Sequence, residues 1–118
     1  MRYALLICTD QSVAISAEEQ SRRITGLMSA QEQLRARGVL AGSELLQPAD
    51  AAVTVRAWDG GDIEIANGPA VRPKEHVTGV FTIDCGDLDE AIDLATKIPA
   101  AWYGTIEIRP VCGTQLDT

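Results

Sequence analysis

The chain has 118 residues and a formal net charge of −7, with 46% hydrophobic and 23% charged residues. These values are ordinary for a globular domain, and this length can bury one hydrophobic core but not two. The acidic balance argues against binding to nucleic acid or to an anionic membrane, since both require a basic surface. The opening apolar run, Tyr3–Cys8, is too short for a spanning helix or a signal peptide. We therefore expect a cytoplasmic protein.

The three cysteines do not form a recognisable framework. Cys8, Cys85 and Cys112 are odd in number and far apart in the chain, which fits neither paired disulfides nor a Cys-x-x-Cys metal site. Cys8 and Cys85 lie in or at the end of apolar strand-like runs, where a thiol usually acts as a small hydrophobic group. We therefore expect no metal site and no cofactor.

The first part of the chain predicts a strand, a helix and a second strand. Arg2–Thr9 is apolar on both alternating faces, which favours a strand near the centre of a sheet. Ser16 and Glu19 have the spacing of a capping box, in which each side chain accepts a hydrogen bond from a free backbone N–H. Gly38 supplies the left-handed residue that ends the helix, and Val39–Gln47 reads as a strand. The predicted apolar stripe of the helix consists of Ile24, Leu27, Met28 and Leu34.

A β-hairpin and a loop are predicted next. Ala52–Trp58 and Ile63–Ile65 alternate between apolar and polar residues on either side of Asp59-Gly60-Gly61-Asp62, which is typical of two strands joined by a tight turn. This turn lacks the further oxygen ligands of a calcium loop. The following segment, 66–73, contains two prolines and a glycine and is predicted to be a loop.

The last part predicts a strand, a helix and a final strand. Val77–Cys85 is a strand, and Asp87 with Glu90 repeats the capping pattern at the start of a helix that ends at Pro99. Its predicted apolar stripe consists of Leu88, Ala91, Ile92, Ala95 and Ile98. In the final strand, Gly104–Val111, the apolar Ile106 and Ile108 face away from Thr105, Glu107 and Arg109.

This order of elements predicts an α+β fold: a ferredoxin-like β-α-β-β-α-β sandwich with an inserted hairpin, formed by residues 1–112, with a polar tail at 113–118. Right-handed crossovers place both helices on one face of the sheet. The other face is neither fully apolar nor fully polar, so we predict a homodimer in which two sheets enclose a partly polar cavity. The residues predicted on that face are Thr54, Arg56, Trp58, Thr82, Asp84, Glu107 and Arg109.

A series of short segments in this sequence resembles a known family. The segments are Met1–Ile7, Gly38–Leu40, Gly42–Pro48, Thr54–Arg56, Asp59–Gly60, Asn67–Pro69, Lys74–Glu75, Thr78–Phe81, Asp87–Ala91 and Glu107–Val111. In their order and spacing they resemble the YCII-related family, specifically its DGPF-motif branch, over roughly residues 1–111. The resemblance implies a ferredoxin-like fold that assembles as a dimeric α+β barrel.

Two departures from the family pattern bear on function. The family's Asp-Gly-Pro-Phe motif stands here as Asn67-Gly68-Pro69-Ala70, which lacks the carboxylate and the aromatic ring. In the wider family a His–Asp pair, with the histidine on the first helix, is the proposed catalytic unit, whereas the predicted first helix here has no histidine. That role therefore does not carry over. The branch also occurs beside sigma factors of the extracytoplasmic-function type.

His76 is the only histidine and is the candidate catalytic residue. As a general base it would be oriented by Glu75 or Asp84. The alternative is a residue at the rim of the fold with no chemical role.

A second group of candidates is predicted to bind a ligand. Glu107 and Arg109 are two residues apart on a strand and so point to one face. With Arg56, they would clamp a carboxylate or phosphate. An ion-pair network that fixes the dimer register is the favoured alternative, because buried charges are normally paired. Asp84 and Trp58 complete this set.

The aromatic residues Trp58, Trp102 and Tyr103 admit two interpretations. They would either wall a ligand pocket or pack in the core or at an interface, where aromatic residues are common. The leading functional hypothesis is a homodimer that binds a small polar or anionic metabolite between the sheet faces, with cofactor-independent acid–base chemistry of the lyase or isomerase type. The alternative is an interaction module that binds a transcription regulator and has no ligand of its own.

Overall fold

The computed structural model describes residues 1–113, within which the chain forms six strands and three α-helices. Apart from Gly113, the predicted polar tail lies outside these residues. A 3₁₀ turn at Ala49–Ala51 follows the second strand. The elements are β1 (Arg2–Thr9), α1 (Ala17–Ala36), β2 (Leu40–Leu45), β3 (Val53–Ala57), β4 (Ile63–Asn67), β5 (His76–Asp84), α2 (Leu88–Thr96), α3 (Ala100–Tyr103) and β6 (Thr105–Pro110).

Four strands form an antiparallel sheet in the order β2-β5-β1-β6. β1 pairs with β5 on one side and with β6 on the other, which confirms its predicted central position. With α1 after β1 and α2 after β5, this is the predicted ferredoxin-like plan. β3 and β4 form a separate two-stranded sheet.

One face of the four-stranded sheet carries the hydrophobic core. Alternate residues of β1 and β5 point to this face, where they contact apolar residues from α1 and α2 and from the segment after α2. Burying each large apolar side chain contributes about 1.5–3 kcal/mol before the entropy cost is subtracted. The prediction that both helices cover the same face is confirmed. The buried residues are Tyr3, Leu5, Ile7, Leu27, Ala30, Leu34, Phe81, Ile83, Ala91, Leu94, Ala95, Ile98 and Ala100.

The two predicted capping boxes differ in the structure. At α1, the backbone N of Glu19 donates to Ser16 Oγ over 3.0 Å. The Glu19 carboxylate does not return to Ser16 but binds Arg22 and Arg23. At α2, the backbone N of Glu90 donates to Asp87 Oδ1 over 2.9 Å, and Glu90 Oε2 accepts from the backbone N of Gly86 over 2.7 Å. The Glu90 carboxylate thus contributes to the cap of α2, whereas the Glu19 carboxylate of α1 binds two arginines instead.

The apolar stripes of both helices are narrower than predicted. Leu27 and Leu34 are buried, whereas Ile24 and Met28 are exposed, and Ala30 takes the position between them. In α2 the predicted Leu88 and Ile92 are exposed, while Leu94, which was not predicted, is buried. In a flat helix-on-sheet contact only the residues nearest the sheet are covered, so the edges of each predicted stripe remain in solvent.

The hairpin does not extend the four-stranded sheet. This corrects part of the set of residues predicted on the face that the helices leave open, which we call the open face. Thr54 and Arg56 lie on β3 and Trp58 follows it, so these three are not on that face. The physical reason is the turn after β2, where Pro48 and the 3₁₀ turn redirect the chain before β3 begins. Thr82, Asp84, Glu107 and Arg109 do belong to the four-stranded sheet, on the face opposite the core.

The hairpin carries an apolar face that the rest of the chain leaves uncovered. Its four large residues, Val53, Val55, Ile63 and Ile65, share one side of the ribbon by register and are between 61% and 70% exposed. The radius of gyration is 16.3 Å, compared with about 13.5 Å for a compact domain of this length. A single chain therefore has an extended shape and buries only part of its apolar surface.

Candidate functional site

The pairing of β1 with β5 brings the only histidine close to an aspartate. Thr9 at the end of β1 pairs with His76 at the start of β5, and Asp10 follows Thr9 directly. The register shifts between Ile7, which pairs with Gly79, and Cys8, which pairs with Val77. This β-bulge leaves one extra residue, Thr78, on β5. Asp10 and His76 consequently lie at the same end of the sheet.

Asp10 and His76 line a cavity of about 500 Å³, which we call the polar pocket. Its walls come from three segments: the turn after β1 (10–12), the 3₁₀ turn with the proline before it (48–50), and the loop that enters β5 (69–76). This volume lies within the range of about 300–1,000 Å³ that is common for sites of small ligands. The lining is dominated by charged and polar side chains together with three prolines.

Asp10 is held as an anion by its neighbour Ser12. Ser12 donates to Asp10 Oδ1 twice, from its hydroxyl over 2.5 Å and from its backbone N over 3.0 Å. These two hydrogen bonds hold the pKa of Asp10 below its ordinary value, and the positive charges of Lys74 and His76 act in the same direction. An ionised carboxylate beside an imidazole orients the ring and stabilises its protonated form. Asp10 can therefore serve the role that the sequence suggested for Glu75 or Asp84.

Both of those acids have other partners in the structure. Glu75 Oε1 accepts from Thr105 Oγ1 over 2.7 Å. Asp84 lies at the opposite end of β5 from His76, where Arg2 donates to both of its carboxylate oxygens over 2.7 and 2.8 Å. Neither acid lines the polar pocket. Asp84 is thus separated from the histidine it was predicted to orient.

Two cations, Arg72 and Lys74, also line the polar pocket. Within the described residues, no salt bridge joins either one to a carboxylate. The Arg72 guanidinium lies against Gly68, where a Cβ atom would come within 2.9 Å of Nη2. Gly68 is fixed in turn, since its N donates to Ala52 O and its carbonyl accepts from Thr54 Oγ1. The Asn67–Ala70 segment therefore serves as a platform for a cation rather than as a source of ionisable groups.

The predicted ligand clamp is divided between two parts of the fold. Glu107 and Arg109 form an ion pair with each other on β6, in which Arg109 Nε donates to Glu107 Oε2 over 3.0 Å. The Arg56 guanidinium lies 5.5 Å from the centre of the Trp58 ring, within the hairpin. The structure therefore does not bring Arg56 together with Glu107 and Arg109 in one chain. The pair on β6 lies within one strand and is exposed, so an ion-pair network that fixes the dimer register stays a prediction.

Two residues, Pro73 and Lys74, lie between the polar pocket and the open face of the sheet. Lys74 and Pro73 line the polar pocket and also a second, shallower cavity, which is bordered by Cys8, Glu75, Thr105 and Glu107. The loop that enters β5 thus has the polar pocket on one side and the open sheet face on the other. Glu107 and Lys74 thus line the same shallower cavity, whereas Arg109 does not line it.

The thiols and aromatic residues add no reactive group to the site. Burial, followed by the charges of Glu107 and Glu75, raises the pKa of the Cys8 thiol, and burial likewise raises that of Cys85. Both thiols are therefore neutral near pH 7, a form that is a poor nucleophile. Cys112 and Trp102 are exposed. Across residues 1–113 no three acidic, histidine or cysteine side chains are grouped to hold a metal ion, and no helix there has the length and hydropathy to cross a membrane.

Sequence reasoning missed three residues of the site: Asp10, Arg72 and Lys74. A signal for Asp10 was present, because Asp-x-Ser after a strand favours a turn in which the carboxylate accepts from the backbone two residues later. For the cations the available signal was their position beside the only histidine. No pattern in the sequence showed that this loop meets the end of β1.

Two comparisons with known proteins cover nearly the whole chain. A family model described as the YCII-related domain matches residues 1–114. An uncharacterized protein of Rhizobium meliloti (strain 1021) is 36% identical over 115 residues, which cover 94% of this chain and 92% of the relative. Neither comparison distinguishes the DGPF-motif branch, so that finer assignment stays a prediction.

Proposed function

Because the chain belongs to the YCII-related family and carries an Asp10–His76 site, we propose that it is a homodimer that binds a small anionic metabolite. The main support is the polar pocket itself, in which two cations without a salt bridge lie beside a histidine and an ionised aspartate, and Asp50 also lines it. The two aspartates balance the charge of the two cations, so an anion is favoured over a neutral ligand by the hydrogen-bond donors of Arg72 and Lys74, which no salt bridge occupies. Arg72 would bind a carboxylate or phosphate with two parallel hydrogen bonds, and Lys74 as a point charge.

The same pocket supports acid–base chemistry on the bound anion. His76 would take a proton from the ligand and return it to another carbon, as in an isomerase, or to the group that leaves when the neighbouring bond breaks, as in a lyase. Asp10 would stabilise the imidazolium that forms between the two steps. The two cations would hold the negative charge that develops on the ligand when the proton leaves. This mechanism needs only proton transfers by the chain's own residues.

The hairpin and the open sheet face support the dimer. Water contacts the apolar residues Val53, Val55, Ile63 and Ile65 on the hairpin, and an isolated two-stranded ribbon is only marginally stable in water. A second copy of this chain would cover both hairpins at once, because a two-fold interface uses the same surface on each subunit. The open sheet face next to Lys74 would then form part of the wall of the ligand site, as predicted for a cavity between sheets.

Anion binding can be tested with inorganic phosphate and with propionate, by following backbone amide signals in NMR titrations. Since each lost charge-assisted hydrogen bond weakens binding by about 1.5–3 kcal/mol, Arg72→Gln and Lys74→Gln should each weaken binding at least tenfold. Lys97→Gln is the matched control, because Lys97 pairs with Asp93 on α2 and does not line the pocket. If neither anion binds the wild-type protein, or if Lys97→Gln has the same effect as Lys74→Gln, the proposal fails.

The catalytic part has its own test. Once a reaction is identified, His76→Gln should abolish turnover while changing anion affinity less than Lys74→Gln does. Asp10→Asn should reduce turnover by a smaller factor, because the imidazole loses its orienting charge but not its proton-transfer capacity. Turnover that survives His76→Gln would contradict the assignment of the proton carrier.

A further inference from the structure

A third cavity adjoins the polar pocket, on the helix side of the sheet. Its volume is about 340 Å³, and it shares Asp10, Gln11 and Pro48 with the polar pocket. Its other walls come from the segment before α1, from the first half of α1 and from the end of β2. We call it the apolar groove, after the residues Val13, Ile15, Ile24, Leu27, Leu45 and Leu46 that line it.

The apolar groove exposes side chains that would otherwise be part of a core. Val13, Ile24, Leu45 and Leu46 are between 39% and 59% exposed, although they point toward a common space. Ile24 belongs to the predicted apolar stripe of α1, and its failure to pack against the sheet is explained by its position in this groove. Apolar atoms that line an open concave surface gain free energy when an apolar group displaces the water there.

The cation at the far end of the apolar groove already has partners. Arg23 lines the groove there, with its guanidinium 4.0 Å from the centre of the Tyr103 ring. Arg23 Nε also donates to Glu19 Oε1 over 3.2 Å, a carboxylate that it shares with Arg22. The cations without such a partner, Arg72 and Lys74, lie at the other end, in the polar pocket. A ligand that spans both cavities therefore has its anionic group in the polar pocket and an uncharged part in the groove.

We propose that the ligand is an amphipathic anion, with one carboxylate or phosphate head in the polar pocket and an aliphatic or aromatic tail in the apolar groove. This proposal rests on the proposed function, and it names the class of ligand for the same site. Asp10 lines both cavities, and His76 is close to it, so the junction lies beside the proton carrier. The carbon atoms next to the head group would be the ones that exchange protons.

Two homologous series of ligands test the proposal: propionate with hexanoate, and methyl phosphate with hexyl phosphate, titrated against the full chain and followed by NMR. If the alkyl tail of the ligand is buried in the groove, the affinity should rise by up to about fourfold per added methylene group. The backbone amide signals of Val13 and Leu46 should shift on binding. Leu46→Ala should flatten the dependence on chain length and leave the affinity for propionate and methyl phosphate unchanged. Met28→Ala is the control, because Met28 is exposed on the same helix as Ile24 but does not line the groove.

The outcomes separate this proposal from the proposed function. If long and short ligands bind equally well and Lys74→Gln weakens both, the anion site stands and the amphipathic ligand is excluded. If 1-hexanol binds as tightly as hexanoate and Lys74→Gln affects neither, the groove is real but the anion site is wrong. Equal effects of Leu46→Ala and Met28→Ala would also overturn the assignment of the groove. The carboxylate and phosphate series show which head group the polar pocket prefers.

Discussion

Gly104 joins α3 to β6 at a point where the backbone passes close to the end of β1. A methyl group on this residue would overlap the carbonyl oxygen of Cys8 and lie 3.0 Å from Thr9 Cγ2. The backbone at Gly104 has a φ of −146°, which other residues also adopt, so the restriction is one of space. The neighbouring carbonyl belongs to the central strand and cannot easily move.

Gly104→Ala should therefore lower the free energy of unfolding by about 1–3 kcal/mol, the usual cost of overpacking. Urea denaturation measures this change. The matched control is Gly42→Ala on β2, where an added Cβ meets no atom within 4 Å and the free energy should change by less than about 0.5 kcal/mol. Equal effects of the two substitutions would show that close packing at Gly104 is not the cause.

The ion pair between Arg2 and Asp84 makes stability depend on pH at the acidic end. The hydrogen bonds from Arg2, followed by its charge and that of the N-terminus, hold the pKa of Asp84 below its ordinary value. For a carboxylate whose pKa is lower in the folded state, the stabilisation is fully present above the unfolded pKa of about 3.9 and is lost as the pH falls through the folded value. Asp10 contributes with the same sign.

The urea midpoint should therefore fall as the pH is lowered below about 4, and Asp84→Asn should make that fall shallower. Arg2→Gln should do the same, because it removes the partner that lowers the pKa. The double variant should differ little from either single one, since both remove one interaction. Additive effects of the two substitutions would contradict a shared origin.

At the scale of helices and strands, the ends of most elements could be predicted because their signals are local. Ser16 and Asp87 accept hydrogen bonds from the third residue after them, and Gly38 has a φ of 76°, as its place after α1 predicted. These signals depend on neighbouring residues alone. These signals do not predict α3, because Pro99 indicates the end of a helix, whereas in the structure it also begins the short helix that follows.

The faces of the helices were less predictable than their ends. Ile24 and Met28 match the helical period as well as Leu27 does, yet only Leu27 is buried. The outcome depends on where the axis of α1 lies over the sheet. Pro99 contributes to this placement: a Cβ on Gly26 would lie 3.4 Å from its Cγ atom, so a glycine there permits a close approach. Such a contact between distant segments leaves no periodic pattern in the sequence.

Of the residues in the candidate site, only His76 could be predicted from the sequence. His76 could be found because it is the only histidine. Asp10 could not be assigned as its neighbour, since their proximity depends on the pairing of β1 with β5, which local sequence does not show. Arg56 was placed on the wrong sheet because alternation shows which residues share a face but not which strand lies beside them.

In the molecule as a whole, the apolar face of the hairpin is not covered by any other part of the described chain. Val55 and Ile65 pair directly across the hairpin, on the face that we propose is covered by a second copy of the chain. Light scattering at micromolar concentration should report twice the mass of the 12.6 kDa chain. Replacing both residues by threonine should raise the dimer dissociation constant at least tenfold, because two buried branched side chains contribute more than about 1.4 kcal/mol.

The control for the dimer is Glu64→Thr, a change on the opposite face of the same ribbon. It should leave the dissociation constant within a factor of about two, since surface substitutions usually change free energies by less than 0.5 kcal/mol. A monomeric wild-type protein at tens of micromolar would refute the proposed dimer, whereas equal weakening by Glu64→Thr would refute the docking face.

The extra residue in β5 has a consequence for how this chain tolerates change. Strand alternation has a period of two, so one additional amino acid inverts the orientation of everything that precedes it in the strand. With the bulge, His76 pairs with Thr9; a regular ladder of the same residues would instead place it opposite Asp10, with the imidazole on the other side of the sheet. Deleting Thr78 would remove the extra residue and leave His76 opposite Thr9, so the position of the histidine should tolerate this deletion. The bulge, rather than the identity of Thr78, thus decides which side of the sheet the imidazole faces.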